Sequence, residues 1–295
     1  MFQAQYELNN NINWQMFSAN PNAVHILEKN MSKIEWNNLT DNVNAIHLLE
    51  QNREKINWIS LCRNPNAMDL IEEGIKAKKI IKLKHLSENP NAIHILQKNM
   101  NIINWALFSS NYNAIDILEM TKKFDWEGLS KNPNAIHILE KYPKRIHWRG
   151  LLTNPKAIHI IEEHINDIHS KVLANYSETE KNIGLTISQD WYCLSTNTSA
   201  VKLLEKYPDM INWIGLSKNP NAVHILEKNM NKIDWYNLSA NPNAVHLLAK
   251  LNTNKMKAQI KEFKRELVEY VFNPLRIQHM ADIFNLDMEE YLELI

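Results

Sequence analysis

The stretch NPNAVHILEKNM, from Asn20 to Met31, recurs letter for letter from Asn219 to Met230. If its first Asn is position zero, the same frame returns at ten positions: Asn20, Asn42, Asn64, Asn89, Asn111, Asn132, Asn154, Asn197, Asn219 and Asn241. The usual step is 22 residues, whereas the step from Asn154 to Asn197 is 43 residues. Self-similarity at such a period indicates a repeat architecture. We therefore predict about eleven repeats, with a worn copy near Asn175.

Each copy encodes a longer helix followed by a short one. Asn at position zero suits an N-cap and the Pro after it suits the first helical position. Apolar residues at +3, +4, +6 and +7 share one face of a helix of about ten residues. The Asn at +10, as in Asn30, suits a left-handed C-cap. Before the next cap, an Asn or Asp such as Asn212 or Asp234 precedes Trp and begins the short helix.

One such helix pair cannot bury its apolar face alone, so neighbouring repeats must stack. The fold expected is all-α, an α-solenoid of about eleven stacked 22-residue repeats. Its predicted organisation is an N-terminal cap at 1–9, the solenoid at 10–250 with a degenerate repeat around 165–190, and C-terminal capping or interaction helices at 251–295. Caps are expected because an open stack exposes a core face at each end.

All the tryptophans lie six residues before the Asn of their repeat: Trp14, Trp36, Trp58, Trp105, Trp126, Trp148, Trp191, Trp213 and Trp235. An apolar residue follows three positions after each one. This spacing places both residues on the buried face of the short helix, and we predict that the tryptophans form the structural core of the repeats. The alternative is a platform on which single-stranded nucleic acid stacks.

The +5 position on the outer face of the longer helix is the first candidate partner-binding surface. It holds His25, His47, Asp69, His94, Asp116, His137, His159, Lys202, His224 and His246. Helices about 8 to 10 Å apart separate these imidazoles too widely for a shared zinc ion, so we predict no metal site. Variable residues after the Trp (Lys84, His85, Glu127, Arg149, Tyr236) and before the NP pair (Asp41, Arg63, Glu88, Lys131) are further candidates.

The composition gives no sign of an enzyme. No glycine-rich phosphate loop, paired-cysteine motif or nucleophile motif occurs, so we predict no catalytic residue and no cofactor. Lys and Arg total 33, as do Asp and Glu, which makes nucleic acid an unlikely partner and gives no field toward a membrane. Cys62 and Cys193 lie at different repeat phases, which argues against a disulfide. The first residues, MFQAQYELNN, do not resemble a signal peptide.

Two resemblances follow from these motifs. The pairing of a longer and a short helix at this period is similar to leucine-rich-variant solenoids. The repeat sequence LSxNPNAIHILEKN, together with the motif KIxW, resembles the repeats of about 22 residues in helical-repeat proteins of giant DNA viruses, the mimivirus-like relatives. The resemblance covers about 240 residues. This resemblance implies a viral repeat protein in the infected-cell cytoplasm or in the virion.

The function expected is a noncatalytic repeat scaffold that mediates protein–protein interaction with a host or viral protein. A virion structural protein that self-assembles is the first alternative, and a nucleic-acid-binding helical repeat is the second. The basic stretch with Lys255, Lys257, Lys261, Lys264 and Arg265 would serve the latter. Apolar residues near the C-terminus (Phe272, Leu275, Ile283, Phe284) predict self-association through the terminal segment.

Overall fold

A computed structural model describes residues 6–79, 83–163, 181–251, 253–284 and 286–294. The chain divides into two compact units. One is Asn10–Leu248, and the other combines Met1–Asn9 with Ala249–Ile295. Almost all the described residues with regular structure are helical, which confirms the all-α prediction.

The α-helices are numbered in chain order. They are α1 (Trp14–Ser18), α2 (Val24–Leu27), α3 (Trp36–Leu39), α4 (Ile46–Gln51), α5 (Trp58–Leu61), α6 (Met68–Lys76), α7 (Ile93–Lys98), α8 (Trp105–Ser110), α9 (Ile115–Thr121), α10 (Trp126–Lys131), α11 (Ile136–Lys141), α12 (Trp148–Leu151), α13 (Lys181–Thr196), α14 (Val201–Lys206), α15 (Trp213–Lys218), α16 (Val223–Glu227), α17 (Trp235–Ser239), α18 (Val245–Leu248), α19 (Thr253–Val271), α20 (Pro274–Phe284) and α21 (Met288–Leu294). Residues 158–163 are also helical.

Short 3₁₀ helices connect these elements. They are Pro21–Ala23, Glu28–Lys33, Arg53–Lys55, Pro65–Ala67, Leu83–Glu88, Pro90–Ala92, Met100–Ile102, Pro143–Arg145, Pro208–Met210, Pro220–Ala222, Met230–Lys232 and Pro242–Ala244. Two strands, β1 (Tyr6–Leu8) and β2 (Ala249–Leu251), pair antiparallel in the second unit, with Tyr6 opposite Leu251 and Leu8 opposite Ala249.

The predicted N-caps are confirmed. The Asn20 side chain accepts a hydrogen bond from the Asn22 N–H, and Asn212 and Asp234 cap α15 and α17 in the same manner. The longer helix is less regular than expected, because a 3₁₀ turn at the PNA residues often precedes the α-helical part. The predicted left-handed C-cap is wrong. Asn30 has φ −131° and ψ 44°, and its amide donates to the Ile26 carbonyl instead.

The core of the repeat unit is built from three positions that recur in every copy. The Ala at +3 and the Leu or Ile at +7 are almost completely buried, as in Ala222 and Leu226. So is the apolar residue three positions after the Trp, as in Leu216. These side chains meet from consecutive helices of the chain, so each copy contributes a small apolar cluster to a continuous core.

The Asn at position zero joins each copy to the preceding one. Besides capping its own helix, its amide donates to two backbone carbonyls of the preceding copy, at 2.8 to 3.2 Å. Asn219, for example, donates to Ser195 O and Asn197 O. All ten of these asparagines are at most 2% exposed. We call each copy linked in this way a rung, and the row of asparagines the Asn ladder.

The Asn ladder closes on itself. Asn20, in the first rung, donates to Ser239 O and Asn241 O of the last rung at 3.1 and 2.9 Å. The Asn13 N–H donates to Ser239 Oγ at 2.9 Å, and the Asn22 amide donates to Pro242 O at 2.9 Å. These bonds repeat those between consecutive rungs along the chain. The first rung therefore follows the last as any rung follows its predecessor.

One prediction changes as a result. The eleventh stacked repeat is not confirmed, because Asn197 donates directly to Leu152 O and Asn154 O and so follows the rung of Asn154. The expected worn copy near Asn175 lies outside the described residues. The terminal rungs meet through the bonds of Asn20, and the capping role expected of segments 1–9 and 251–295 stays a prediction. Within their own unit, these two segments are joined by β1 and β2.

Candidate interaction surface

Short helices of neighbouring rungs lie in close contact. A buried Ser or Thr hydroxyl two positions before the ladder Asn accepts from the backbone N–H that begins the next short helix, as Ser217 Oγ does from Asp234 N at 3.0 Å. This row was not predicted, although Ser or Thr recurs at that position in most copies. Where glycine follows the Trp by two positions, the backbones approach further. A Cβ added at Gly215 would lie 2.7 Å from Tyr192 O.

The tryptophans begin these short helices, but all nine are only half-buried. Their predicted role as the structural core of the repeats stays a prediction. The fully buried position is the residue three places later, such as Leu216, because the first residue of a helix this short lies at the edge of the contact between rungs. Trp14 and Trp105 meet the buried Phe17 and Phe108 edge-on at 5.7 Å between ring centroids.

Cations and tyrosines of the following linker cover several of these indole rings. The Lys55 ammonium lies 4.2 Å from the centroid of Trp36, and the Lys232 ammonium lies 4.6 Å from that of Trp213. Tyr142 meets Trp126 at 5.7 Å. Rings that already carry such partners are poor candidates for a row of base-stacking platforms.

The +5 row forms a second ladder across the longer helices. The imidazole Nε2 of each of six histidines lies 2.8 to 3.5 Å from a Glu carboxylate at +8 of the preceding rung. The pairs are His47–Glu28, His94–Glu72, His137–Glu119, His159–Glu140, His224–Glu205 and His246–Glu227. Both partners of every pair are about half exposed, so each pair contributes about 0 to 1 kcal/mol.

This arrangement changes the interpretation of the +5 row. The paired imidazoles already hold a carboxylate, and they form a regular surface that is nearly the same on each rung. Asp69, Asp116 and Lys202 take the histidine's place on three rungs, and His25 occupies it on the first rung. Among the described residues, no three His, Cys, Asp or Glu side chains converge as metal ligands.

The residue directly after the Trp, or after Leu83 in the rung of Asn89, is exposed on every rung and varies along the row. The row consists of Gln15, Asn37, Ile59, Lys84, Ala106, Glu127, Arg149, Tyr192, Ile214 and Tyr236. Within this row, Lys84, Glu127, Arg149 and Tyr236 were predicted as candidates, whereas Tyr192 and Ile214 were not. Their shared distance from the Trp was the signal that could have identified them.

Three consecutive rungs place apolar or aromatic residues in this row. Tyr192, Ile214 and Tyr236 are 37%, 51% and 46% exposed, and we call them the tyrosine stripe. Their helices α13, α15 and α17 pack against one another in that order. A Cβ at Gly215 would lie 3.3 Å from the Tyr192 ring, which shows how close that ring lies to the next helix. The stripe is thus one continuous surface.

Charged groups lie beside the tyrosine stripe. On the rung before Tyr192, the Arg149 guanidinium lies 3.6 Å from the Asp190 carboxylate, with both side chains partly exposed. Burial raises the pKa of the nearby Cys193 thiol, and the Asp190 charge raises it further. A thiol with a raised pKa is a weak nucleophile near neutral pH.

Three of the four candidates before the NP pair, Asp41, Arg63 and Lys131, take part in local ion pairs. Arg63 lies 3.3 Å from Asp41 of the preceding rung. Burial raises the pKa of Asp41, while Arg63 partly opposes that rise. Lys131 pairs with Glu127 at 2.7 Å and lowers the pKa of that carboxyl. These contacts stabilise neighbouring turns and leave the tyrosine stripe as the more distinctive surface.

The predicted C-terminal residues are all exposed. Phe272, Leu275, Ile283 and Phe284 are 51% to 83% accessible, on α20 and the turn before it. The Phe284 ring stacks on Tyr291 of α21 at 6.0 Å between centroids. The terminal unit therefore has apolar side chains that its own described residues do not cover.

No helix in the described part of the chain has both the length and the apolar character needed to cross a membrane. Comparisons of this chain with protein-family models, with curated proteins and with solved structures find no match.

Proposed function

We propose that this chain is a noncatalytic helical-repeat scaffold that binds another protein through the tyrosine stripe. The architecture proposed is an α-solenoid of ten rungs whose Asn ladder is closed, in place of an open stack of eleven. The single observation that carries the binding proposal is the exposure of Tyr192, Ile214 and Tyr236 side by side on consecutive rungs.

The chemistry of the stripe supports a protein partner. Tyrosine buries a large apolar ring at low entropic cost and offers a hydroxyl for hydrogen bonding, which explains its enrichment in interfaces. Short helices about 8 to 10 Å apart bring the three side chains within the span of one helix or extended segment of a partner. Arg149 beside the stripe adds a polar rim, which is typical of such contacts.

The constant frame and the variable row support the same proposal. The ladder Asn, the buried Ala and the residue at +7 recur with little change because they hold the rungs together. The residue after the Trp bears none of these constraints, so it can change without loss of the fold. The resemblance to giant-virus repeat proteins makes a host or viral protein the proposed partner and the infected cell or the virion the proposed place.

Affinity capture with the full-length chain tests this function. The variant Tyr192→Ser, Ile214→Ser, Tyr236→Ser removes the stripe, and the matched control Gln15→Ser, Asn37→Ser, Lys84→Ser changes the same row on other rungs. We expect the stripe variant to lose a captured protein partner that wild type and control both retain at equal thermal stability. Equal capture by both variants would refute the stripe as the contact. Recovery of nucleic acid alone would instead favour a nucleic-acid-binding repeat protein, and recovery of capsid components alone would favour a virion structural protein.

A further inference from the structure

Helix α19 presents an apolar face bordered by lysines. Ile260 and Leu267, seven residues apart, share one side of this 19-residue helix and are 42% and 45% exposed. Lys257 and Lys264 border the same side, each with its side chain in solvent. Glu262, Glu266 and Glu269 point to the other side of the helix. We call Lys257, Ile260, Lys264 and Leu267 the α19 face.

Helix α21 presents a face of the opposite charge. Met288 and Leu292, one turn apart, are 37% and 42% exposed, and Glu289 lies beside them in solvent. The stacking of Tyr291 on Phe284 turns another side of α21 toward α20. No Lys or Arg occurs from Asp287 to Leu294. We call Met288, Glu289 and Leu292 the α21 face.

We propose that the α19 face of one copy of this chain binds the α21 face of a second copy. Each face combines two exposed aliphatic or thioether side chains with charge of one sign, and the two signs are complementary. Both faces remain exposed within a single chain. A two-fold axis would form the contact twice, since each copy supplies one face of each kind. The packing of one amphipathic helix along the apolar face of another is a common form of recognition.

An anionic lipid surface is the competing occupant of the α19 face, because lysines bordering an apolar side also suit a membrane interface. The second copy is favoured because α21 supplies apolar groups and a carboxylate together, and this charge is complementary to that of the lysines on the α19 face. A lipid surface would leave the exposed Met288 and Leu292 without a partner. The two occupants are separated by the experiment below.

The test is sedimentation velocity on the full-length chain with reversed charges. One variant carries Lys257→Glu and Lys264→Glu, and the other carries Glu289→Lys. The matched control carries Glu262→Lys and Glu269→Lys on the far side of α19. We expect wild type and control to form dimers that weaken with added salt. Each face variant alone should have a dimer dissociation constant at least about tenfold higher.

Mixing the two face variants is the decisive step. Each contact in the mixed dimer pairs a basic face with an acidic one, so we expect the mixture to recover dimers that neither variant forms alone. Monomeric wild type up to high concentration, dimers that survive both face variants, or a mixture that stays monomeric would each overturn the proposal. So would binding of monomeric wild type to vesicles of anionic lipid that is lost with Lys257→Glu and Lys264→Glu.

Discussion

The closed Asn ladder predicts that a rung at the start of the chain is as firmly held as one in the middle. Asn20 and Asn219 provide a matched test, because each begins the identical stretch NPNAVHILEKNM. The two local sequences and helix starts are the same. Only the origin of the preceding rung differs: Asn219 follows the rung before it in sequence, whereas Asn20 follows the last rung of the ladder.

The cost of replacing either Asn by Ala follows from its three hydrogen bonds. Loss of the N-cap bond to the +2 N–H costs about 1 kcal/mol. The two carbonyls of the preceding rung lose their buried donor, at about 1 to 2 kcal/mol each. In the closed ladder we therefore expect Asn20→Ala and Asn219→Ala each to destabilise the fold by about 3 to 5 kcal/mol. In an open stack Asn20 would lose only its cap, so its cost would be about 1 kcal/mol.

Urea unfolding followed by circular dichroism and tryptophan fluorescence measures both costs. Coincident transitions by the two probes would show that a single free energy of unfolding is meaningful. We expect the two variants to agree within about 0.5 kcal/mol of each other. An Asn20→Ala variant whose stability exceeds that of Asn219→Ala by 2 kcal/mol or more would refute the closed ladder.

Four further measurements test single residues of the repeat unit. Gly128→Ala places a methyl group against Ala106 O and should destabilise the fold by about 1 to 3 kcal/mol in thermal unfolding, and an unchanged midpoint would mean the helices are further apart than described. Burial raises the pKa of Cys62 to about 11, so a thiol reagent at pH 8 should modify Cys193 well before Cys62. Above about pH 9 the Cys62 thiol ionises in the unfolded chain but stays protonated in the folded one. The free energy of unfolding should therefore fall between about pH 9 and about pH 11. The Cys62→Ser variant should not show this fall. Arg63→Ala removes the charge that lowers the pKa of Asp41, so that pKa should rise further in an NMR titration, and a fall would contradict the assigned contact.

Much of one rung could be predicted from the sequence, because its determinants are local. The N-cap at Asn20, the Pro after it and the apolar spacing at +3 and +7 act within a few residues of each other. The tryptophans were harder to place. Their spacing identifies the correct side of the short helix. Their exposure, however, depends on how closely the next rung approaches, and this distance cannot be derived from the sequence of a single repeat.

The candidate surface was only partly predictable for the same reason. Tyr236 could be identified as a variable residue on a constant frame, but Tyr192 and Ile214 gain meaning only when α13, α15 and α17 lie side by side. The +5 histidines looked equally available from sequence. Their pairing with Glu at +8 is visible only when the offset between neighbouring longer helices is known.

The sequence by itself determined the length of the unit, its helical character and the residues that face the core, because hydrophobic periodicity and capping are short-range effects. The tertiary structure decided that the rung of Asn154 is followed by that of Asn197 and that the last rung meets the first. Closure depends on a small rotation at each contact between rungs, summed over all of them. No single repeat encodes that sum, so the closed ladder could emerge only from the packing of the whole chain.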